Sequence, residues 1–512
     1  SPGALRRVLA AEGALVGLPA AALGLALALL LTPGPLTPGA IVVAAVVGVA
    51  PAVVFAARAS FPLRRAARQD LGATTRSRLR LAVDLVVTGL AVVSTVLLIV
   101  GGGVGPNGVD VLAVVAPLLL ATAGALLGER LLPAPAGAAL ARATRGPRLA
   151  GFLGLARAVR DPGGSIAHLA LVVAIAIASS STVLLATLDR GTVEAAEAGL
   201  GGDVRVEGAP LQPEALDELA GLPGVAEVAG IEAIGSVALT EGRERLQVPA
   251  YVVDGAALAR IQSSFPGGLD DVGDTIPVVV SPALAGMLAG DDNTIDGVAA
   301  RLLGSAGGAA GVGGGTWLMI DRAASDLIGA GAFTPRVVVV GIDADADAAS
   351  VATALAERLP SSRVTTLEAR IAHQRATPIP ATLRAGFALA IALAALLAAT
   401  AVVMTARLAA PRRTALARTL HRLGAPRREI AATLAAEAVP STLASLVVGG
   451  ALGVAIPFLV VAAVELGPIV GGIAAPRLVA DPLVLGAIAL GAVAAGTLSI
   501  APVLLTSRKE SA

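Results

Sequence analysis

SIAHLALVVAIAIASSSTVLLA, residues 165–186, is a run of 22 residues without one Asp, Glu, Lys or Arg, and it opens directly into the acidic stretch TLDRGTVEAAEAGL, residues 187–200. An uncharged run of about 20 residues is the length a helix needs to cross a hydrocarbon core of about 30 Å. Working outward, seven further apolar runs of similar length can be read, two of them with a single Asp near one end: Gly13 to Leu31, Gly39 to Ala57, Ala82 to Gly101, Val109 to Gly128, Ala385 to Ala406, Ala438 to Val464 and Pro482 to Leu505. Five spans, a polar block and three more spans describe a polytopic α-helical membrane protein of about 8 transmembrane helices with one large domain outside them.

Composition agrees. Apolar residues make up 55% of the chain and the mean hydropathy is +0.82, which a soluble protein could hide only in an implausibly large core. The net charge of +1 conceals a partition: residues 189–380 hold 26 acidic and 12 basic side chains, a net of −14, and the remainder holds 11 acidic and 26 basic, a net of +15. If each span crosses once, the basic segments Arg58 to Arg80, Arg130 to Arg160, Arg407 to Arg428 and Arg508 with Lys509 share one side. The positive-inside bias makes that side, and the C-terminus, cytoplasmic, and places the acidic block outside. Cysteine is absent, so the outer domain must fold on its core without disulfides.

Two segments of the chain echo each other. Leu9-Ala10-Ala11-Glu12 leads from the basic pair Arg6 and Arg7 into the first span, and Leu434-Ala435-Ala436-Glu437 leads into the seventh. The hairpins that follow end in Ala50-Pro51 before Arg58 and in Ala501-Pro502 before Arg508. This reads as an internal repeat whose first copy is truncated. The resulting division is 1–60 for the end of the first repeat, 61–148 for a cytoplasmic connector and two-span hairpin, 149–187 for an interfacial helix and the span opening the second repeat, 188–380 for the outer domain, and 381–512 for three spans with a cytoplasmic helix between the first two. The interfacial helix is expected from Leu149, Phe152, Leu153, Ala156 and Val159 at helical spacing with Arg157 and Arg160 between them.

In the outer block, apolar alternation predicts strands over Asp203 to Glu207, Leu246 to Val253, Ile276 to Val280, Thr316 to Ile320, Arg336 to Ile342 and Arg363 to Thr366. Helices are predicted over Pro213 to Ala220, Gly255 to Ile261 and Ala348 to Arg358, giving an α+β domain. Asp291, Asp292, Asn293 and Asp296 before Gly297 faintly resemble a calcium loop, but the twelfth position from Asp292 is Leu303 where a bidentate carboxylate is needed, so a solvated loop is expected. The same holds for Asp343, Asp345 and Asp347.

Absent motifs narrow the function. The single lysine, Lys509, lies between Arg508 and Glu510, so no phosphate-binding Gly-Lys-Ser/Thr loop exists in this sequence. His168, His373 and His421 are isolated and there is no cysteine, so neither a metal site nor Ser-His catalysis has a signal; no catalytic residue, metal or nucleic-acid partner is expected. Asp84, Asp110, Glu465 and Asp481 stand near span ends and none at a bilayer centre, which disfavours an ion-coupled carrier.

One segment has the character of machinery. From Arg412 to Ile430 the chain reads RRTALARTLHRLGAPRREI, which predicts an amphipathic helix with Leu416, Leu420 and Leu423 on one face, a stop at Gly424, and a second helix opened by Pro426. Such a helix, turn and helix on the cytoplasmic side is a rigid protrusion.

This segment, with Leu423-Gly424-Ala425, Arg427 and Arg428, followed by Leu434-Ala435-Ala436-Glu437 entering a three-span bundle, resembles the FtsX/MacB-type (type VII) ABC transporter permeases. Arg157 to Pro162, Leu222-Pro223-Gly224-Val225, Val278 to Ala283 and Val337 to Ile342 are similar to further stretches of that family. The resemblance implies a plasma-membrane permease of bacteria without ATPase activity of its own, bound to a cytoplasmic ABC ATPase in two copies that supplies the ATP and Mg2+ sites. It implies that ATPase coupling falls to Leu416, Leu420, Leu423, Gly424, Arg427, Arg428 and Glu437, and in the first copy to Arg6, Arg7 and Glu12. It further implies mechanotransmission to the outer domain for extrusion of a lipophilic, lipoprotein or peptide substrate, with an extracytoplasmic protein or lipoprotein as a further partner. Antimicrobial-peptide sensing or resistance, and a non-transporting scaffold that activates a cell-wall hydrolase, are the alternatives. The sequence departs from a simple four-span member in carrying parts of two copies, so ten spans are expected of the intact protein.

Overall fold

The computed structural model describes residues 2–31, 78–101, 133–145, 149–160, 165–288 except 243, 293–307, 315–463 and 476–498, with shorter pieces at 41, 44–49, 52, 104–105, 108–109, 119–124, 126 and 312. The chain divides into two compact units: Ser1–Thr187, Thr382–Glu465 and Leu478–Ala512 form a helical unit, and Leu188–Ala381 with Leu466–Arg477 form an α/β unit.

The helices of the first unit include α1 (Pro2–Leu31), α2 (Arg78–Gly101), α3 (Pro133–Ala143), α4 (Leu149–Arg160) and α5 (Ser165–Leu200), whose last residues belong to the second unit. The second unit contributes α6 (Pro213–Ala220), α7 (Gly255–Ile261), α8 (Pro282–Ala285), α9 (Ala348–Arg358) and α10 (Leu367–Ala376). The chain then returns through α11 (Pro378–Arg422), α12 (Arg427–Ala463) and α13 (Pro482–Leu498). Among the described residues, four helices are long and apolar enough to cross a membrane: within α1, α5, α11 and α12. Shorter apolar helical stretches cover Leu85–Leu97 and Pro482–Ala494. Spans two and four, expected at Gly39 to Ala57 and Val109 to Gly128, and the connector Arg64 to Arg80 lie largely outside the described residues, as do Arg508 and Lys509.

Small residues set the helix packing. A Cβ built on Gly449 of α12 would lie 2.8 Å from Cβ of Ile175 on α5, and one on Gly453 would lie 2.3 Å from Cβ of Ser179. Glycine therefore lets the two backbones approach more closely than any side chain would allow, the usual route to helix association where lipid tails remove the hydrophobic incentive. Buried hydroxyls in these helices bond back to the preceding turn, as Thr187 does to the Val183 carbonyl at 2.7 Å. The same Thr187 hydroxyl accepts the Val479 amide at 3.1 Å and so ties α5 to the segment that leads into α13.

Among the described residues of the second unit nine strands form one sheet: β1 (Val204–Glu207), β2 (Val225–Glu241), β3 (Glu244–Val253), β4 (Ile276–Val280), β5 (Asn293–Ile295), β6 (Val298–Ser305), β7 (Leu318–Asp321), β8 (Val337–Ile342) and β9 (Arg363–Thr366). The order is β9-β1-β8-β2-β3-β7-β4-β6-β5, and β5 returns to pair with β2 through Leu239 opposite Ile295 and Glu241 opposite Asn293. Six strands thus close on themselves, which removes their edges. The inside is filled by alternate residues, among them Leu239, Val248, Ile276, Val278, Ile295, Leu318 and Ile320. The other strands carry α6 and α9 on one face, over Val204, Val206, Val338 and Val340. Val337 and Val339 point to the opposite face, among Leu258, Phe265 and Trp317.

The 17-residue β2 serves both parts: Val225 to Ile231 pairs with β8, and Ile231 onward pairs with β3. The register shifts between Ala233 and Gly235, and Gly235 has φ +96°, so a bulge bends the strand where it changes partners. This strand was not anticipated from the sequence, nor were β5 and β6. The segment read as a solvated acidic loop supplies β5 and a two-residue hairpin turn: Asp296 and Gly297 both have positive φ, the Asp-Gly signature of a type I′ turn. Asp296 Oδ1 also accepts the Ala238 amide at 3.1 Å. Asp347 caps α9 by accepting the Ser350 amide. Asp321, at the end of β7 and buried, accepts the Gly255 amide at 2.7 Å and the Ala323 amide at 2.8 Å, so one carboxylate caps two helical segments.

Candidate coupling site

The basic protrusion expected after span six is a continuation of the span itself. α11 runs unbroken for 45 residues, about 67 Å at 1.5 Å per residue, far beyond the ~30 Å of a hydrocarbon core. Its end is a Schellman turn: the Ala425 amide donates to the Leu420 carbonyl at 3.0 Å, the Gly424 amide donates to the His421 carbonyl at 3.0 Å, and Gly424 sits at φ +83°. A left-handed φ is strained for any residue with a Cβ, which is why glycine closes this helix. The Pro426 carbonyl accepts from Glu429 and Ile430, and α12 starts at Arg427 without losing a hydrogen bond to proline's missing N–H.

The three leucines expected on one face of the helix divide in their surroundings. Leu416 and Leu420 are half-buried against Ala417, Ile430, Leu434 and Ala438, so they hold α11 to α12. The helical period alone shows that residues share a stripe, and a stripe with an antiparallel helix beside it is used up by that neighbour. Leu423, one turn further and past the contact, stays 78% exposed. Around it Arg422, Arg427, Arg428 and Glu429 are exposed as well, giving the tip an apolar centre with a basic rim.

Glu437, eleven residues into α12, meets two arginines. Arg413 Nε of α11 lies 3.3 Å from Oε1, and Arg157 Nε of α4 lies 3.5 Å from Oε2, an ion pair at the second oxygen beyond hydrogen-bond geometry. Arg413 is nearly enclosed, its side chain 6% exposed, while Arg157 is 37% exposed. α4 reaches this place because of Gly154: a Cβ there would fall 2.4 Å from the Thr433 carbonyl oxygen and 2.6 Å from Cβ of Ala436. Arg413, Arg157 and Gly154 were not singled out from the sequence as coupling residues. Their only local signal is that Gly154 and Arg157 are one turn apart on the amphipathic α4, and arginine is too common in these loops to mark a particular partner. Arg6, Arg7 and Glu12, expected from the sequence as a second set of coupling residues, are exposed on α1, and among the described residues none of them pairs within this cluster.

The second unit contains a cleft of about 600 Å3 lined by Arg205, Glu232, Tyr251, Arg336 and Val337. Arg205 pairs there with Glu207 at 2.6 Å, and Glu232 accepts the Thr334 amide at 2.7 Å, so these charges serve the sheet. Among the described residues no cluster of His, Asp or Glu has a metal-binding arrangement.

No family model and no curated protein matches the sequence. Among solved structures, the extracellular domain of the noncanonic ABC-type transporter YknZ from Gram-positive bacteria is similar over 32% of this chain and 99% of its own, at 11% identity and a TM-score of 0.25. The periplasmic region of MacB from Actinobacillus actinomycetemcomitans is similar over 35% of this chain and 96% of its own, at 12% identity and a TM-score of 0.28. At these TM-scores the likenesses carry no argument about what this chain does.

Proposed function

We propose that the chain is the permease subunit of an ABC-type transporter, set in the plasma membrane with residues 188–380 outside and the C-terminus in the cytoplasm. The observation that carries the reading is the hairpin of α11 and α12: two helices longer than a bilayer core requires, joined by a Schellman turn with exposed Leu423 at its tip among arginines. A tip built rigidly on two spans can transmit displacement, and an exposed leucine ringed by arginines suits an apolar pocket with an acidic border. ATP and Mg2+ are bound by the partner ATPase, and this chain contributes no catalytic group. The outer domain does the external work on a lipophilic, lipoprotein or peptide substrate by mechanotransmission, with the absence of mid-span charge in the sequence supporting motion over a hydrated pathway.

Two measurements test this. The chain has no native cysteine, so the single substitutions Glu357→Cys and Thr419→Cys each give one thiol that can be labelled in intact cells with an impermeant maleimide. Labelling of the Glu357→Cys variant and protection of the Thr419→Cys variant are expected; the reverse overturns the topology. Leu423→Asp places a charge where an apolar contact is required, and loss of ATPase co-purification by at least about tenfold is expected. Undiminished co-purification from a correctly inserted variant overturns the docking assignment.

A further inference from the structure

Glu437 is the place where three separate segments of the helical unit meet: α4, the cytoplasmic end of α11 and the beginning of α12. Each of its oxygens faces a different arginine, and each arginine comes from a different helix. The Arg413 arm is shut from solvent while the Arg157 arm is partly open, so the first fastens the hairpin to itself and the second fastens α4 to the hairpin. A charged pair enclosed this way is held by geometry, because leaving either partner alone in a low-dielectric surrounding costs more than the pair contributes. The contact at Gly154 has the same target: the Thr433 carbonyl oxygen of α12 one turn before Glu437, the Cβ of Ala436 beside it, and the backbone nitrogen of Glu437 itself.

We propose that Glu437 is a positioning residue, a two-armed clamp that makes the interfacial helix α4 ride with the coupling hairpin as one body, so that displacement of the tip at Leu423 is delivered to α4 as well as to the two spans. α4 ends at Arg160 and α5 begins at Ser165, so a hairpin that carries α4 also acts on the entry to α5, a helix it does not continue into. The arrangement belongs to the second copy: Glu12, at the matching position of the first, is exposed and forms no ion pair among the described residues. The clamp rests on the permease reading only for its use, and its geometry can be tested apart from it.

Thr433 is buried where α4 closes on α12, and cysteine is close to it in size. In the full chain reconstituted in nanodiscs, Thr433→Cys reports α4 docking through its rate of maleimide labelling. Without ATP, adding Arg157→Gln should raise that rate about threefold, as expected for loss of a half-exposed ion pair, and Arg157→Lys should restore most of the protection. Glu437→Gln should raise it at least about tenfold, since it strips the carboxylate from an enclosed arginine. Because that change could unfold the hairpin, the Arg157 pair of variants decides the matter if Glu437→Gln is not stable. With co-purified ATPase and ATP, the parent rate should stay unchanged, because α4 moves with the hairpin, while turnover should raise it further in Arg157→Gln. Equal rates in parent and Arg157→Gln without ATP overturn the clamp. A parent rate that rises with ATP to the level of the variant overturns the claim that α4 and the hairpin move as one. Failure of any ATPase to co-purify with the parent counts against the permease reading instead, and leaves the ATP-free comparison decisive for the clamp.

Discussion

In the α/β unit Leu258, Leu269, Leu284 and Leu318 expose no surface at all, whereas in the helical unit Leu15, Leu30, Leu483 and Leu490 each expose more than 70% of theirs. The same residue type is used in opposite ways. The α/β unit must withdraw apolar area from water, at about 25 cal/mol per Å2, to meet the entropy cost of ordering its chain. The helical unit turns that area toward lipid, gains nothing from hiding it, and is held by close approach at glycine and by charge at Glu437. A protein built this way has two kinds of weak point, voids in one unit and lost polar or steric fits in the other.

The largest expected contrast is between two leucines. Leu258→Ala should cost about 3 kcal/mol by opening a cavity in the α/β core, whereas Leu490→Ala on the exposed side of α13 should change stability by less than about 0.5 kcal/mol. Thermal unfolding of the purified full chain in nanodiscs, read by proteolysis of each unit, measures both; similar costs would break the comparison. Within the helical unit alone, Leu420→Asp should cost about 2 kcal/mol, since it buries a charge between α11 and α12. Leu423→Asp should leave the melting temperature within error because the tip is solvated. If the two variants melt alike, the division of the leucine stripe is wrong.

A smaller effect separates the two carboxylates that join segments. Glu437 is met by arginines, but Asp321 is met by two backbone amides in a buried place, and burial pushes its carboxyl above the usual Asp range against the pull of those amides from Ala323 and Gly255. The folded chain therefore holds this proton more tightly than the unfolded chain does. Its contribution to stability is fully present below the ordinary Asp pKa and is lost as pH rises through the raised folded value. Asp321→Asn should flatten that part of the pH profile of the α/β unit while costing about 1 kcal/mol, since the amide offers one oxygen where two N–H groups need acceptors. A profile unchanged by the substitution would remove Asp321 from the account.

Four of the apolar runs were legible because a membrane imposes a length: among the described residues they fall in α1, α5, α11 and α12, which are long and apolar enough to cross one, while the runs at Ala82 and Pro482 fall in helices whose apolar stretches are shorter. The strands with valine runs were legible for a related reason, since Ile276–Val280 and Val337–Ile342 are buried on both faces. β2 was not, because VAEVAGIEAIGSVALTE mixes alanine and glycine with charge and its polar positions are excused by different neighbours along its length. The hairpin at Asp296-Gly297 was hidden by a count of acidic residues, although Asp-Gly between alternating residues is itself a turn signal.

The sequence by itself determined where the chain is apolar for 20 residues, which loops are basic, and that a helix must stop at Gly424, because these depend on one segment and its solvent. Only the tertiary structure decided that Leu416 and Leu420 face α12 while Leu423 does not, that β5 returns to β2 and closes the strands, and that Glu437 is shared by Arg157 and Arg413. Those contacts join residues up to 280 positions apart, Arg157 to Glu437, and a one-dimensional pattern can show that a side chain has a partner-seeking face without showing which distant segment arrives to meet it.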